Sequence, residues 1–100
     1  MDPRISLLAK NLINYSTDLK RNEKLLIEIF DDAHPLAKAL IEECYKVNAL
    51  PFVSIKNSQI QRSLIMNSSK EQLDLIAKYE CLRMENMDAY IGIRASYNVS

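Results

Sequence analysis

Few side chains in this sequence are equipped for chemistry, and most of them fall in one place. Asp31, Asp32 and His34 follow the apolar run Lys24-Leu25-Leu26-Ile27-Glu28-Ile29-Phe30 and stand just before Pro35. An imidazole beside two carboxylates could move a proton, with His34 paired to Asp31 or Asp32, and Cys81 could act as a nucleophile. Metal ligation is less well served. One histidine and no thiolate pair do not make a usual zinc site, and carboxylates alone favour a hard ion held weakly. A histidine next to proline reads as a cap or loop residue. An acidic pair at the start of a helix reads as a solvated connection whose charge suits the positive end of the helix dipole. No residue is therefore assigned a catalytic, cofactor-binding or metal-binding role, and Asp31, Asp32 and His34 are kept as candidates for lining a cavity.

The elements that would position them follow from periodicity. The run from Lys24 to Phe30 has the length and apolar character of a buried strand, and Pro35 opens a helix directly after it. Ligands of parallel sheets sit where strands end and helices begin, which is where the acidic pair lies. Ahead of this strand, Asp2 caps a helix with Pro3 at its first position. Ile5, Leu8, Leu12, Tyr15 and Leu19 recur along it at three and four residues. Lys20-Arg21-Asn22-Glu23 is a polar connection. After Pro35, Leu36, Leu40, Cys44 and Val47 form one apolar line, widened by Ala37, Ile41 and Tyr45, with Lys38, Glu42 and Lys46 on the wet side and Glu42 placed to pair with Lys46. Asn48 ends this helix and Phe52-Val53-Ser54-Ile55 is a second strand, which completes a βαβ unit. A short helical piece carries Ile60, Leu64 and Ile65. Ser69 with Gln72 three residues on is a capping box for a further helix bearing Leu75, Ile76, Tyr79, Leu82 and Met87. Ala89-Tyr90-Ile91-Gly92-Ile93-Arg94 reads as a third parallel strand, in which Gly92 signals close approach of another group. Tyr15, Tyr45 and Tyr79 share helical spacing with Leu and Ile and read as core or core-rim residues.

The expected fold is thus α/β: three layers, a mainly parallel sheet of about three strands with covering helices, led by an N-terminal helix. One hundred residues make a single domain, 1–100. Parallel sheets usually have more strands and helices on both faces, so the domain reads as the N-terminal piece of a longer protein. Thirteen basic residues balance thirteen acidic ones. Without a basic stripe, nucleic acid is set aside as a partner. No apolar run approaches the roughly 18 residues of a membrane span, and the start lacks a secretory signal, which together suggest a cytoplasmic protein without membrane contact. Cys44 and Cys81, with no CxxC spacing, read as reduced thiols in helices.

Phosphate chemistry finds no support. The chain has one glycine, Gly92, so it cannot form the glycine-rich turn on which backbone N–H groups close around an anion. The phrase Leu26 to Asp32 is similar to the opening of signalling receiver domains. Those need a phosphate-accepting Asp after the third strand, and here Arg94, Ala95 and Ser96 occupy that place.

A resemblance to a known family supplies what the side chains do not. Met1-Asp2-Pro3-Arg4-Ile5 with Leu8-Ala9, then Asn14-Tyr15-Ser16, Glu23-Lys24-Leu25-Leu26-Ile27-Glu28 and Pro35-Leu36 resemble the start of the thermophilic-type metalloaminopeptidases, the aminopeptidase T family. Ala49-Leu50-Pro51-Phe52-Val53, Glu71-Gln72-Leu73 and Asp88-Ala89-Tyr90-Ile91-Gly92-Ile93-Arg94-Ala95 continue it in order over nearly the whole chain. The resemblance implies a cytoplasmic exopeptidase that removes N-terminal residues from peptides, is dimeric, and uses two divalent cations (Zn, Co or Mg). The family's ligands lie in its C-terminal half, so none is carried onto these residues. What the resemblance passes on is an α/β domain that helps enclose the active-site cavity. One departure is the loop before Glu23, often glycine-bearing in the family and here Lys20-Arg21-Asn22. The alternative is a complete small α/β binding or interaction module without catalytic activity.

Overall fold

The computed structural model describes residues 2–94. Helix α1 (Pro3–Asn11) runs into a π-helical turn (Leu12–Ser16), then come strand β1 (Lys24–Phe30), helix α2 (His34–Lys46), strand β2 (Leu50–Lys56), helices α3 (Ser58–Met66) and α4 (Lys70–Glu85), and strand β3 (Ala89–Arg94). The three strands form one parallel sheet in the order β2-β1-β3. The apolar run that ends in the acidic pair is therefore the central strand. The expected α/β fold, with a parallel three-stranded sheet and a leading helix, is the fold found.

The pleat sorts β1 between two environments. Leu25, Ile27 and Ile29 enter the core with Ala9, Ile13, Ala37, Leu40 and Cys44, so α1, the π turn and α2 cover that face. Leu26, Glu28 and Phe30 point to the other face, in register with Phe52, Ser54 and Lys56 on β2 and with Tyr90, Gly92 and Arg94 on β3. This second face is covered at its centre, where Leu26 is buried, and open at its flanks, where Phe52 and Tyr90 are exposed. Neither α3 nor α4 buries a residue, and α4 reaches the sheet through an ion pair between Lys56 and Glu80 at 3.5 Å.

The helix boundaries follow their caps. Asp2 accepts a bond from Arg4 N–H at 2.9 Å, Asn57 from Ile60 N–H at 3.0 Å and Ser69 from Gln72 N–H at 3.1 Å. Such caps satisfy donors that the first helical turn leaves open. With one glycine available, the chain gives its left-handed positions to Asp18, Asn22, Asp31 and Asn48, at φ 47°, 66°, 62° and 62°. Asx residues tolerate that region best after glycine. Asn22 thus takes the conformation that glycine would adopt in the loop before β1, and Asn48 ends α2 as expected.

Three side-chain expectations need correction. In the first helix the line through Leu8 and Tyr15 is not the buried one; Ala9, Ile13 and Leu19 are buried, with Ile5 and Leu12 packed against them. The π turn after Asn11 sets Ile13 inward, and Tyr15, two residues on, lies half a turn away. Tyr15, Tyr45 and Tyr79 are 78%, 63% and 62% exposed, so none is a core residue. Periodicity placed them beside apolar neighbours, but on α4 those neighbours, Leu75 and Leu82, are exposed too. Lys46 pairs with Glu43 at 2.8 Å rather than with Glu42, because Glu43 sits at the buried edge of α2 one turn before it.

Pro51 shows how the sheet edge is built. Leu50 donates its N–H to Glu23 and Lys56 lends its carbonyl to Asp31, so the even-numbered residues of β2 face β1. Backbone groups alternate along a strand, which turns Pro51, Val53 and Ile55 outward. A proline there removes no ladder bond.

Candidate functional site

A groove of about 860 Å³ lies at the carboxyl ends of β1 and β2, lined by Asp31, Asp32, His34 and the segment from Ile55 to Gln61. The three sequence candidates are brought to this one groove. Each has a different task. Asp31 turns the chain out of β1 at its left-handed φ, and its N–H bonds the carbonyl of Lys56 at 2.9 Å. Its carboxylate accepts the Ser58 N–H at 2.9 Å and the Ser58 hydroxyl at 2.7 Å, which ties the end of the central strand to the first residue of α3. Those two bonds hold the Asp31 carboxyl below its usual 3.8. A carboxylate so engaged positions backbone. His34 is the exposed first residue of α2, ahead of Pro35, and Asp32 is exposed beside it.

Beneath the groove lies a polar cluster that sequence reasoning did not find. Glu28, at the middle of β1 and 8% exposed, accepts the Tyr90 hydroxyl at 2.8 Å and pairs with Lys56 at 3.0 Å. Lys56 also lines the groove. Burial raises the Glu28 pKa, but the bonds from Tyr90 and Lys56 outweigh it and bring the carboxyl below 4.5. Tyr90 moves the other way, raised from 10.0 by burial and by its bond to Glu28. Small neighbours make the arrangement possible: Ser54 and Gly92 flank Glu28 in register. A Cβ on Gly92 would stand 2.7 Å from the Tyr90 hydroxyl oxygen and 3.2 Å from its ring, so the bare glycine lets Tyr90 lie along β3 and reach Glu28. The close approach expected at Gly92 is this one. Beyond it, Arg94 stacks on the Phe30 ring at 4.1 Å. The only sequence signal was a glutamate inside an apolar run, and its meaning depended on strand order.

The fit to a metal is poor. Among the described residues no three His, Cys, Asp or Glu side chains come together as a metal site requires. Both cysteines are free thiols, Cys44 buried in α2 and Cys81 exposed on α4. Burial pushes the Cys44 thiol up to about 11, so it is neither nucleophile nor ready ligand. Ala95 and Ser96, where a receiver domain would carry its acceptor Asp, lie outside the described residues. No helix of the described residues is long and apolar enough to cross a membrane.

Comparison with known proteins decides what the geometry leaves open. The profile of the thermophilic metalloprotease (M29) family matches residues 1–100. The chain belongs to that family. The sequence resemblance to thermophilic metalloaminopeptidases is thereby borne out. Among solved structures, wild-type AmpT from Thermus thermophilus shares the M29 chain's fold with a TM-score of 0.69, at 18% identity, over 92% of this chain and 24% of AmpT. A D-alanine–D-alanine ligase from Prochlorococcus marinus (strain NATL1A) is 30% identical over 64 residues, 63% of this chain and 18% of the ligase. The M29 chain therefore spans about a quarter or less of the proteins it matches. Its family name implies divalent metal, for which its described residues supply no cluster of ligands.

Proposed function

We propose that residues 1–100 are the N-terminal α/β domain of a metal-dependent aminopeptidase that removes N-terminal residues from peptides. In this reading the domain helps enclose the active-site cavity, and the ligands of the two divalent cations (Zn, Co or Mg) lie elsewhere in the parent. The parent is cytoplasmic and dimeric. The match of the M29 family along the whole chain carries the reading. A further observation accords with it: AmpT is about four times longer than the matched region. The groove at the carboxyl ends of β1 and β2 is the part of the domain that would face the cavity, with Asp32, His34 and Lys56 on its wall and Asp31 holding its shape. No step of the hydrolysis is assigned to these residues.

The test is an aminoacyl-anilide assay with added Co2+ or Zn2+. The 100-residue chain alone should release no aniline, and the chain continued in frame by coding sequence rich in Glu, His and Asp should do so. Hydrolysis by the 100 residues themselves would overturn the placement of the ligands. A stop codon after Ser100 with no activity in any form would favour the interaction module.

A further inference from the structure

We infer that the exposed apolar stripes of α3 and α4 are the surface through which this domain docks on the metal-bearing remainder of its own polypeptide. The inference rests on the aminopeptidase reading above and adds where the domain meets the rest of the parent. On α4, Ile76 and Glu80 are the half-buried line, and Glu80 ties it to the sheet through Lys56. Leu75, Tyr79 and Leu82 make a second line, about 100° round the helix from the first. On α3, Ile60 and Leu64 stand one turn apart in the same way. These five side chains are between 43% and 68% exposed. Single exposed apolar residues need no partner, but apolar residues recurring at helical spacing are the mark of a face that packs. A recess of about 300 Å³ on α4 is lined by Tyr79, Cys81 and Leu82 together with Lys78 and Glu85. Aromatic and aliphatic groups with a few charges beside them are the composition of an interface core and its rim.

The occupant follows from length, area and place. The M29 profile runs the whole chain and the AmpT fold covers 92% of it, yet the match takes in only 24% of AmpT. A parent of that size brings about three quarters of its polypeptide from outside these residues, and some of it must pack against them. The area suits such a contact. The chain exposes 7240 Å², where a compact monomer of 11.5 kDa exposes about 5,800 Å². The surplus, roughly 1,400 Å², lies mainly on α3 and α4, which bury no residue. Interfaces between domains of one chain take about 600–1,500 Å². Place adds the last point. Ile60, in the first turn of α3, also lines the groove at the carboxyl ends of β1 and β2, so a body seated along the stripes borders the groove that faces the cavity in this reading.

Hydroxyl-radical footprinting of the intact, metal-loaded parent tests the inference, because Tyr45 and Tyr79 are almost equally exposed in this domain and Tyr15 more so. In the wild-type parent, Tyr79 should be oxidised roughly tenfold more slowly than Tyr15 and Tyr45, as befits a side chain at the water-excluding centre of an interface. Leu75→Lys combined with Leu82→Lys should return Tyr79 to the rate of Tyr45. Asp74→Asn, exposed on α4 but off the stripe, should leave it slow. If the double variant fails to fold, the three tyrosines of the wild type decide alone. A parent that cleaves aminoacyl anilides, and in which Tyr79 is oxidised as fast as Tyr45, overturns the surface and spares the aminopeptidase reading. Protection of Tyr79 that disappears on dilution assigns the stripes to a second copy and overturns the occupant. A parent that covers Tyr79 but cleaves no anilide with Co2+ or Zn2+ overturns the reading and leaves the surface standing.

Discussion

Glu28 is a charged residue in the central strand of a parallel sheet, a position usually given to Val, Ile or Leu. Its surroundings explain how it is tolerated. The carboxylate has a hydroxyl donor on one neighbouring strand and an ammonium on the other, and these outweigh the effect of burial, so the folded pKa lies below 4.5. A carboxyl whose pKa is lower in the folded state stabilises the fold above its unfolded pKa and loses that contribution as pH falls through the folded value. Thermal stability should therefore begin to decline as pH drops below about 4.5 and continue to decline below it. Tyr90→Phe removes one of the bonds that hold the carboxylate and should cost about 1 kcal/mol at pH 7, measured by urea unfolding. The gap between wild type and variant should narrow in acid as Glu28 becomes protonated. A gap that stays constant from pH 7 to pH 3 would mean that the hydroxyl does not act through the carboxylate.

At the scale of elements, the chain solves its turns without glycine. Asn22 sits at φ 66° in the connection before β1, and its N–H bonds the carbonyl of Asn48, itself left-handed at the end of α2. Two Asx residues thus join the entrance of the central strand to the exit of the helix that packs on it. Replacing Asn22 by Gly should leave stability nearly unchanged. Asn22→Ala keeps the backbone bond but forces an ordinary Cβ into the left-handed region and should destabilise by about 1 kcal/mol in denaturant titration. Equal effects of the two substitutions would mean that the Asn side chain, not the backbone conformation, holds the turn.

How legible each element was depends on what its sequence encodes locally. The strands were readable because β1 is largely apolar on both faces and β3 follows a turn and carries β-branched residues around a lone glycine. The start of α4 was readable from Ser69, whose side chain caps it, whereas the cap that Asn57 gives α3 was not singled out. The π turn was not, since its extra residue reflects Thr17 N–H reaching back to Leu12 and leaves no mark in residue type. Burial on α4 was not legible either. Periodicity says which face a helix could bury, and Tyr79 and Leu82 remain exposed because no layer of the described residues covers them. At the groove, adjacency in sequence was enough to bring Asp31, Asp32 and His34 together. The Glu28 cluster draws on three strands and needed their order.

As a whole the molecule is a slab. Its Cα extents are 43 × 38 × 16 Å and its radius of gyration is 15.2 Å, compared with about 13 Å for a compact chain of this length. The flatness comes from the unequal faces of the sheet. The side under α1 and α2 holds the core, and the α3–α4 segment is tied down at points: Ser58 to Asp31 at one end, Glu80 to Lys56 in the middle, and Asp88 to the backbone of Lys24 at the other end, where its carboxylate accepts the N–H at 2.8 Å. Solution scattering of the chain at low concentration should give a radius closer to 15.2 Å than to about 13 Å. A value at the compact limit would mean that α3 and α4 fold down onto the sheet in solution.

The unequal faces also distribute the two thiols. Cys44 is locked in the core under α2, with its proton held up to about 11, whereas Cys81 stands in solvent on α4, beyond the sparse ties of the α3–α4 segment. A thiol-directed dye added to the folded wild-type chain would therefore mark α4 alone. The protein carries its own reporter on the element least anchored to its core, with no residue changed to install it.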